Sequence, residues 1–231
     1  MTWTAPRLPA TAAALRHGAQ DARLTHGYTA YKAKSKMLKT LMIAAGLLGA
    51  GLASAQTAAV SQDVQRNVNQ EQRIENGLKS GTLNTREAAS LEKQTAHVDH
   101  MEAHAMANGS VSPREQASIQ RAENHVSRDI AHDTHNGITG NPASASSQRM
   151  QADVQRNINQ EQRIKNGVAN GSLTNREAGS LERGQAHVDR REARAGASGH
   201  VSAGAQRGIQ RAENRDSRAI YHDKHNARVR G

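Results

Sequence analysis

Aliphatic residues recur at near-helical spacing between residues 62 and 136, and polar residues fill the positions between them. A first stripe consists of Val64, Val68, Ile74 and Leu78. Two further stripes follow along the chain, first Ala88, Leu91, Val98, Met101 and Ala105, and then Ile119, Ala122, Val126 and Ile130. Such spacing is typical of helices that pack along one face. Because no alternating run of useful strand length occurs, the pattern predicts an all-α fold.

Start and stop signals divide this region into three helices. The first is predicted over about 62–77, with Gly77 and Gly81 ending it. The second is predicted to have Thr85 as its N-cap. The third has the clearest start, a capping box with proline at the first helical position, formed by Ser112, Pro113 and Glu115. Short glycine turns between helices favour antiparallel neighbours, and therefore a three-helix bundle.

The same pattern occurs twice without gaps. Residues 63–136 recur as 153–226, and 46 of the 74 paired positions are identical. The repeat predicts two tandem three-helix modules, 62–136 and 151–226. The segment 137–150 between them is rich in Gly, Pro, Ser and Ala and is predicted to be a flexible linker. Copy two replaces Met101 by Arg191 and Val126 by Asp216, which we interpret as a compensating Arg191–Asp216 pair between adjacent helices.

The amino-terminal quarter of the chain has the features of a secretory leader. The apolar run 40–53 follows four lysines and ends in Ala-Ser-Ala, which predicts a signal peptide over 37–55 and a mature chain from Gln56. Residues 1–36 are then an upstream extension or a long basic n-region, so either Met1 or Met37 is the start. The expected location is periplasmic or secreted. No membrane span is expected after cleavage, because the run is shorter than the roughly 20 residues that a spanning helix needs.

Composition excludes several classes of function. From Gln56 onward there are 24 basic and 20 acidic residues, a formal charge of +4, and no cysteine occurs in the chain. Charges of both signs are interspersed, as in the first helix, and we interpret them as a solvated face with local ion pairs, exemplified by Arg66, Glu71, Arg73 and Glu75. A nucleic-acid partner is not expected, because Tyr221 is the only aromatic residue after Gln56. The sequence has no phosphate loop, zinc-protease motif or nucleophile elbow, so an enzyme is not expected.

Two turns of copy one are similar to calcium loops of the EF-hand family. The frame 76–87 has Asn76 first, Gly81 sixth and Glu87 twelfth, and the frame 104–115 repeats the glycine and the final acid. The glycine of each frame is expected to adopt a left-handed conformation. Calcium requires six to eight oxygen ligands, including early carboxylates, and neither frame has an early acid. The sequence therefore favours a turn with this geometry over a calcium site.

The wider pattern is similar to that of small exported helical-repeat proteins of Gram-negative bacteria. It consists of G-x-[LV]-x-x-x-E, a helix, and an ending S-R-x-I-x-H-D-x-H-N, and it occurs in both modules. Proteins of that group are mostly described as uncharacterised, periplasmic or lipoprotein-like. The resemblance implies an exported helical repeat and no particular activity, and the absence of cysteine excludes a lipid-modified N-terminus.

Histidines supply the candidate metal ligands. His97, His100 and His104 share one face of the second predicted helix, and His125 on the third is expected to lie level with His97. Four imidazoles in one place would suit Zn²⁺, Cu²⁺ or Ni²⁺. Copy two has His187 in the first of these places and arginines in the other three, which favours the alternative of a polar helix face. The histidines of the H-D-x-H-N endings are expected to cap helix C-termini instead.

Two functions remain from these observations. The first is an exported, non-enzymatic helical repeat that acts as a structural or interaction module and binds a protein partner or a component of the cell envelope. The alternative is a periplasmic histidine-based binder or buffer of transition metals. The sequence does not define the oligomeric state.

Overall fold

The computed structural model describes residues 56–228, and six α-helices account for most of them. In chain order they are α1 (residues 56–80), α2 (Thr85–Ala105), α3 (Pro113–Asp133), α4 (Ala145–Ala169), α5 (Asn175–Gly196) and α6 (Ala203–His225). The all-α prediction is confirmed, and no strand occurs within this range. The predicted extension 1–36 and signal peptide 37–55 lie outside the described residues.

The end of α1 differs from the prediction, because the helix continues past Gly77 to residue 80. At Gly77 a Cβ atom would lie 2.6 Å from the side chain of Leu83, and the Leu83 amide donates to the Gly77 carbonyl oxygen over 3.0 Å. The glycine therefore lets the turn fold back onto the helix. Gly81, with φ of +78°, is the residue that ends it.

The caps of α2 and α3 give one correction and one confirmation. Asn84, not Thr85, is the N-cap of α2, and its side chain accepts from the amides of Arg86 and Glu87. Asparagine and threonine both cap well, so the order of two adjacent capping residues does not identify the cap. The predicted capping box at the start of α3 is present as expected, with Ser112, Pro113 and Glu115 in their predicted places.

Helices α2 and α5, one from each copy, form the most extensive helix pair among α2–α6. A single apolar cluster includes residues from both copies, for example Leu91 and Val98 with Ile164 and Leu181. The described residues 56–228 all belong to one compact unit. The two copies therefore share a core, and an arrangement as two separate modules is not confirmed.

The segment 137–150 is not the flexible linker that its composition indicates. Its last six residues are the first turns of α4, which has Ser144 as N-cap, and Met150 is fully buried. Earlier in the segment, the Gly140 amide donates to the carbonyl oxygen of Gly81 over 2.8 Å. A Cβ atom on Gly140 would lie 2.5 Å from the Leu83 carbonyl oxygen, so glycine allows this close docking against the α1–α2 turn.

The predicted Arg191–Asp216 pair is not among the ion pairs of the described residues. The Nε atom of Arg191 lies 3.0 Å from Nε2 of His187 on its own helix. The Asp216 carboxylate instead packs beside Gly184, where a Cβ atom would come within 2.9 Å of it. The glycine at 184 therefore makes room for the acid that replaces Val126.

We predict opposite effects for two glycine-to-alanine substitutions inside helices. A Cβ atom on Gly196 would lie 2.6 Å from Met150 and 2.7 Å from Ala89, whereas Gly208 has its nearest neighbour at 4.0 Å. Gly196→Ala should therefore lower the free energy of unfolding by about 1–3 kcal/mol through overpacking. Gly208→Ala should raise it by about 0.5–1 kcal/mol through helix propensity. Urea denaturation followed at 222 nm measures both, and shifts in the same direction would contradict the packing of α5 against α2 and α4.

Candidate functional site

Acidic side chains occupy the interior of the bundle. Twelve of them are at most 4% exposed and stand at six positions that are acidic in both copies. The pairs are Asp63/Asp153, Glu71/Glu161, Glu92/Glu182, Asp99/Asp189, Glu102/Glu192 and Glu123/Glu213. No Lys, Arg or His is buried among the described residues. The carboxylates are therefore buried without buried counter-charges, which is a costly arrangement.

Helical spacing brings these acids to the inner faces of the helices. On α2, Glu92, Asp99 and Glu102 are seven and three residues apart, so they share one side of the helix. On α1, Asp63 and Glu71 are separated by two turns. Helices α4 and α5 repeat both patterns at an offset of 90 residues. Because α2 packs on α5, acids of the two copies meet at the centre of the bundle.

Six of the carboxylates form two triads, each built from both copies. In one triad, oxygen atoms of Glu71, Glu92 and Asp189 all lie within 4.8 Å of one another. The other triad has the same geometry with Asp99, Glu161 and Glu182. Exchange of the two copies converts one triad into the other. We call them the α1 centre and the α4 centre, after the helix that provides the first glutamate of each.

Amide side chains hold the aspartates of both centres. The Nδ2 atom of Asn67 lies 3.4 Å from Oδ1 of Asp99 and 2.9 Å from Oε2 of Glu102. In copy two, Nδ2 of Asn157 lies 3.2 Å from Asp189 and 3.1 Å from both oxygens of Glu192. These amides supply hydrogen bonds but no positive charge, so they orient the carboxylates without neutralising them.

Several buried oxygens of the centres have no hydrogen-bond partner when the carboxyls are ionised. They are Oε2 of Glu71, Oε1 of Glu92, Oε2 of Glu161 and both side-chain oxygens of Glu182. Each belongs to a side chain that is at most 3% exposed. A buried acceptor without a partner costs about 1–3 kcal/mol. Five such atoms in two small groups indicate a position where a ligand can accept their lone pairs.

Burial also changes the acidity of these groups. It raises the pKa of Glu182 to about 8 and that of Asp189 to about 7. Burial also raises the pKa of the other four carboxyls well above their usual range, and repulsion from neighbouring carboxylates raises these pKa values further. These four are Glu71, Glu92, Asp99 and Glu161. Without a cation, therefore, protons are held in the core near neutral pH.

The four predicted histidine ligands lie elsewhere. His97, His100, His104 and His125 are all exposed. None belongs to a group of potential ligands within 4.8 Å of one another, because in the described range only the two carboxylate triads meet that distance. His100 and His104 line a shallow groove between α2 and α3, and Nδ1 of His125 lies 3.2 Å from Oδ2 of Asp129. The structure therefore does not bring the four imidazoles together, and a Zn²⁺, Cu²⁺ or Ni²⁺ site there stays a prediction.

The second histidine of each H-D-x-H-N ending caps its helix, as expected, whereas the first lies 3.0 Å from the aspartate that follows it. His135 lies 2.8 Å from the Ala131 carbonyl oxygen through Nδ1, and His225 lies 2.7 Å from that of Tyr221. The final asparagine of each motif has a further role, because Asn136 donates to Glu87 over 2.8 Å. Asn226 makes the equivalent bond to Glu177. The motif thus ties the end of each third helix to the capping box of the second.

The turns similar to EF-hand loops are confirmed as left-handed, with positive φ at Gly81, Gly109, Gly171 and Gly199. Their final acids serve as capping residues. Glu87 accepts from the Asn84 amide over 3.0 Å, and Glu115 accepts from the Ser112 amide over 2.9 Å. Because these carboxylates complete N-caps, the turns serve to start the helices that follow them.

Sequence reasoning missed the acidic core because it interpreted charged residues as solvated. That interpretation is wrong for Glu71, which is only 3% exposed. A signal was available in the repeat, since all six inner acids are identical between copies. Three other acids, Glu75, Glu115 and Asp129, are replaced in copy two by Lys, Ala and Ala. Retention in both copies is therefore a signal for these six buried positions, but Asp133 and Asp223 are retained as well and are only partly buried.

Comparisons with protein-family models, curated proteins and solved structures return no match for the chain. The predicted relation to exported bacterial repeat proteins therefore stays a prediction. Among the described residues, no helix combines the length and apolar character needed to span a membrane.

We predict that the cation-free protein loses stability as pH rises from 4 to 8. Unfolded carboxyls titrate near pH 4, whereas burial raises the pKa of Glu182 to about 8 and of Asp189 to about 7. Between these values the folded state binds more protons than the unfolded state, so the free energy of unfolding falls with pH. We expect a loss of several kcal/mol, since each unit of difference is worth about 1.4 kcal/mol per group.

Urea denaturation in the presence of a chelator, at half-unit steps of pH, measures this dependence. Glu71→Gln combined with Glu161→Gln is the matched control, because it removes one titrating group from each centre and should flatten the slope. A stability that is constant or rises over this interval would contradict the protonated core.

Proposed function

We propose that the protein binds two hard, multivalent cations, one in the α1 centre and one in the α4 centre, and acts as an exported, non-enzymatic cation-binding protein. The observation that carries the proposal is the pair of buried carboxylate triads with unpartnered oxygens and no buried counter-charge. This proposal keeps the role of a metal binder that the sequence offered as an alternative. It assigns that role to carboxylates in place of histidines.

The energetics of burial favour a ligand. Ionised carboxylates cost several kcal/mol each to bury, and well-packed apolar residues in their place are often more stable. Yet all six acids of the two centres are identical between copies that differ at 28 of the 74 paired positions. A cation would satisfy the unpartnered oxygens of Glu71, Glu92, Glu161 and Glu182 and supply the missing charge. Selection for binding therefore explains why these costly residues persist.

The ligand set defines the class of cation. Each triad brings together one oxygen from each of three carboxylates and no nitrogen or sulfur ligand. Carboxylate ligands suit Mg²⁺, Ca²⁺ and Mn²⁺, whereas imidazole and thiolate suit Zn²⁺ and Cu²⁺. Di-metal carboxylate bundles carry Glu-x-x-His on two helices. Here the corresponding pairs are Glu92 with Thr95 and Glu182 with Gln185, so hard cations are favoured over nitrogen-seeking metals.

Charge balance extends this argument to trivalent ions. Three ionised carboxylates carry three negative charges, which one trivalent cation neutralises. A divalent cation leaves one negative charge on each centre, and one retained proton removes it. The elevated pKa values of Glu182 and Asp189 suit such retention near neutral pH. Binding of either class must release protons, so affinity should rise with pH.

The exported location rests on the predicted signal peptide 37–55. A surface groove between α2 and α5 favours an additional interaction role, because Arg86, Lys93, Arg190 and Arg194 line it. None of these four side chains belongs to an ion pair in the described range. An anionic protein partner or envelope component is the kind of molecule that such a groove would bind.

We predict two bound cations per chain from Gln56 onward. Calorimetric titration with Mn²⁺, Ca²⁺ and Tb³⁺ should give a stoichiometry of two, with tighter binding at pH 8 than at pH 6. Glu92→Gln with Glu182→Gln removes one charged ligand from each centre and should weaken binding by about 100-fold or more. Because these substitutions also remove buried charge, the cation-free fold should be at least as stable as the original, which separates lost binding from lost folding.

The matched control is His100→Arg with His104→Arg, which gives copy one the arginines that copy two has at 190 and 194. This variant should retain both hard-cation sites. Loss of binding in the histidine variant, with retention in the glutamine variant, would establish the histidine site and reject the carboxylate centres.

A further inference from the structure

The acidic core extends beyond the two centres toward the surface. On the copy-one side, Glu102, Asp63 and Glu123 are buried, with exposed fractions of 1%, 4% and 0%. We call these three residues row one, and their counterparts Glu192, Asp153 and Glu213 row two. Neither row contributes to the triads, so their burial requires a separate explanation.

Direct contacts join row one to the α4 centre. Asn67 bonds through the same Nδ2 atom to Asp99 of that centre and to Glu102 of the row. Asp63 lies four residues before Asn67, which is about one helical turn or 6 Å along α1. Gln116 fixes Asp63 by contacts of 2.7 and 2.8 Å to its two oxygens. Asp63 therefore lies about one turn of α1 beyond the asparagine that joins Glu102 to the centre.

Row two repeats this path from the α1 centre. Asn157 joins Asp189 of that centre to Glu192 of the row. Repulsion also links the members of the row, since Asp153 and Glu213 both contribute to raising the pKa of Glu192, after burial and other carboxylates. Exchange of the two copies converts one row into the other, as it does for the centres.

At the outer end of each row, a partly exposed arginine forms an ion pair with the last carboxylate. The Nε atom of Arg66 lies 3.3 Å from Oε2 of Glu123, and the arginine side chain is 30% exposed whereas that of Glu123 is 0% exposed. A contact of 2.6 Å from Arg66 to Asn124 holds the guanidinium in place. Row two ends in the same way, with Arg156 lying 3.2 Å from Glu213 and 2.6 Å from Asn214.

These two arginines are the only basic side chains that form an ion pair with the twelve buried acids in the described structure. A guanidinium keeps its charge at any physiological pH, so it repels an incoming cation as well as covering the carboxylate. Its partial exposure lets it turn into solvent at the cost of one ion pair and of the contact to the neighbouring asparagine. Both oxygens of Glu123 and of Glu213 lack a hydrogen-bond partner, so they are able to receive a cation when the arginine leaves.

We propose that Arg66 and Arg156 are gates, and that rows one and two are the routes by which cations travel from the surface to the α4 and α1 centres. The proposal rests on the proposed cation-binding function. A cation that enters between Arg66 and Glu123 passes Asp63 and Glu102 before it reaches Asp99. The buried carboxylates of the row supply oxygen ligands between the arginine and the centre.

The test follows Tb³⁺ uptake and release by the chain from Gln56 onward, with direct excitation in a stopped-flow instrument and a chelator to drive release. Arg66→Ala with Arg156→Ala should speed both uptake and release about tenfold or more, with the equilibrium affinity changed by less than about threefold. Removal of positive charge alone would speed uptake and slow release, since it would raise affinity. That pattern, or unchanged rates, would overturn the gates.

Arg73→Ala with Arg163→Ala is the matched control. These arginines lie two turns further along α1 and α4, and they bond to the carbonyl oxygens of Ser127 and Ser217 in place of a buried acid. They carry the same charge but cover no buried acid, and their distance from the rows screens that charge, so their removal should leave both rates within about twofold. Equal acceleration in the control would also overturn the gates, because it would indicate general loosening of the bundle.

The single substitutions separate the two routes. Arg66→Ala should accelerate only the half of the signal that belongs to the α4 centre, and Arg156→Ala only the other half. Acceleration of both halves by either one would contradict two separate routes. Absence of Tb³⁺ binding to the unmodified chain would overturn both the gates and the proposed function, whereas binding with unaltered rates in Arg66→Ala with Arg156→Ala would overturn the gates alone.

Discussion

The burial of carboxylates without counter-charges at the α2–α5 contact is the constraint on which the rest of the structure depends. Glu102 and Glu192, for example, are at most 1% exposed. Such groups require hydrogen-bond donors that carry no charge, and the inner faces of α1 and α4 supply Asn67 and Asn157. The buried acids of α2 and α5 therefore require amide side chains on the facing sides of α1 and α4.

Duplication is what makes the centres possible. Each triad takes two glutamates from one copy and an aspartate from the other, so neither copy alone contains a complete centre. This explains why α2 must pack closely on α5, with Gly179 and Gly196 where a side chain would collide. It also explains where the copies are free to diverge. Arg191 and Asp216 replace apolar residues at the periphery, where the second copy has a small separate cluster around Val188 and Ile209.

The sequence predicted the elements well and their assembly poorly. Helical periodicity identified the buried positions of α1, including Val64, Val68 and Ile74, and the capping box at Ser112 was found because local signals determine it. The docking of Gly140 on the α1–α2 turn was missed. A composition rich in Gly, Pro and Ser indicates flexibility only where the segment makes no contact with the rest of the fold. The carboxylate core was missed for a related reason. An acid that faces the core has the same letter as a solvated one, and the comparison of copies separates them only in part, because Glu75 is buried without being retained.

A cation would connect the thin apolar core to the stability of the fold. The interior has no phenylalanine or tryptophan among the described residues, so aliphatic and alanine contacts supply the apolar burial. Protons stabilise the core only where the carboxyls remain neutral, and that stabilisation declines as the pH passes the raised pKa values. A cation acts in the opposite direction, because it binds the ionised form that a higher pH favours. On the proposed function, protons and multivalent cations exchange at the same carboxylate oxygens. Near neutral pH the stability of the folded state then depends on how far cations replace the protons that leave.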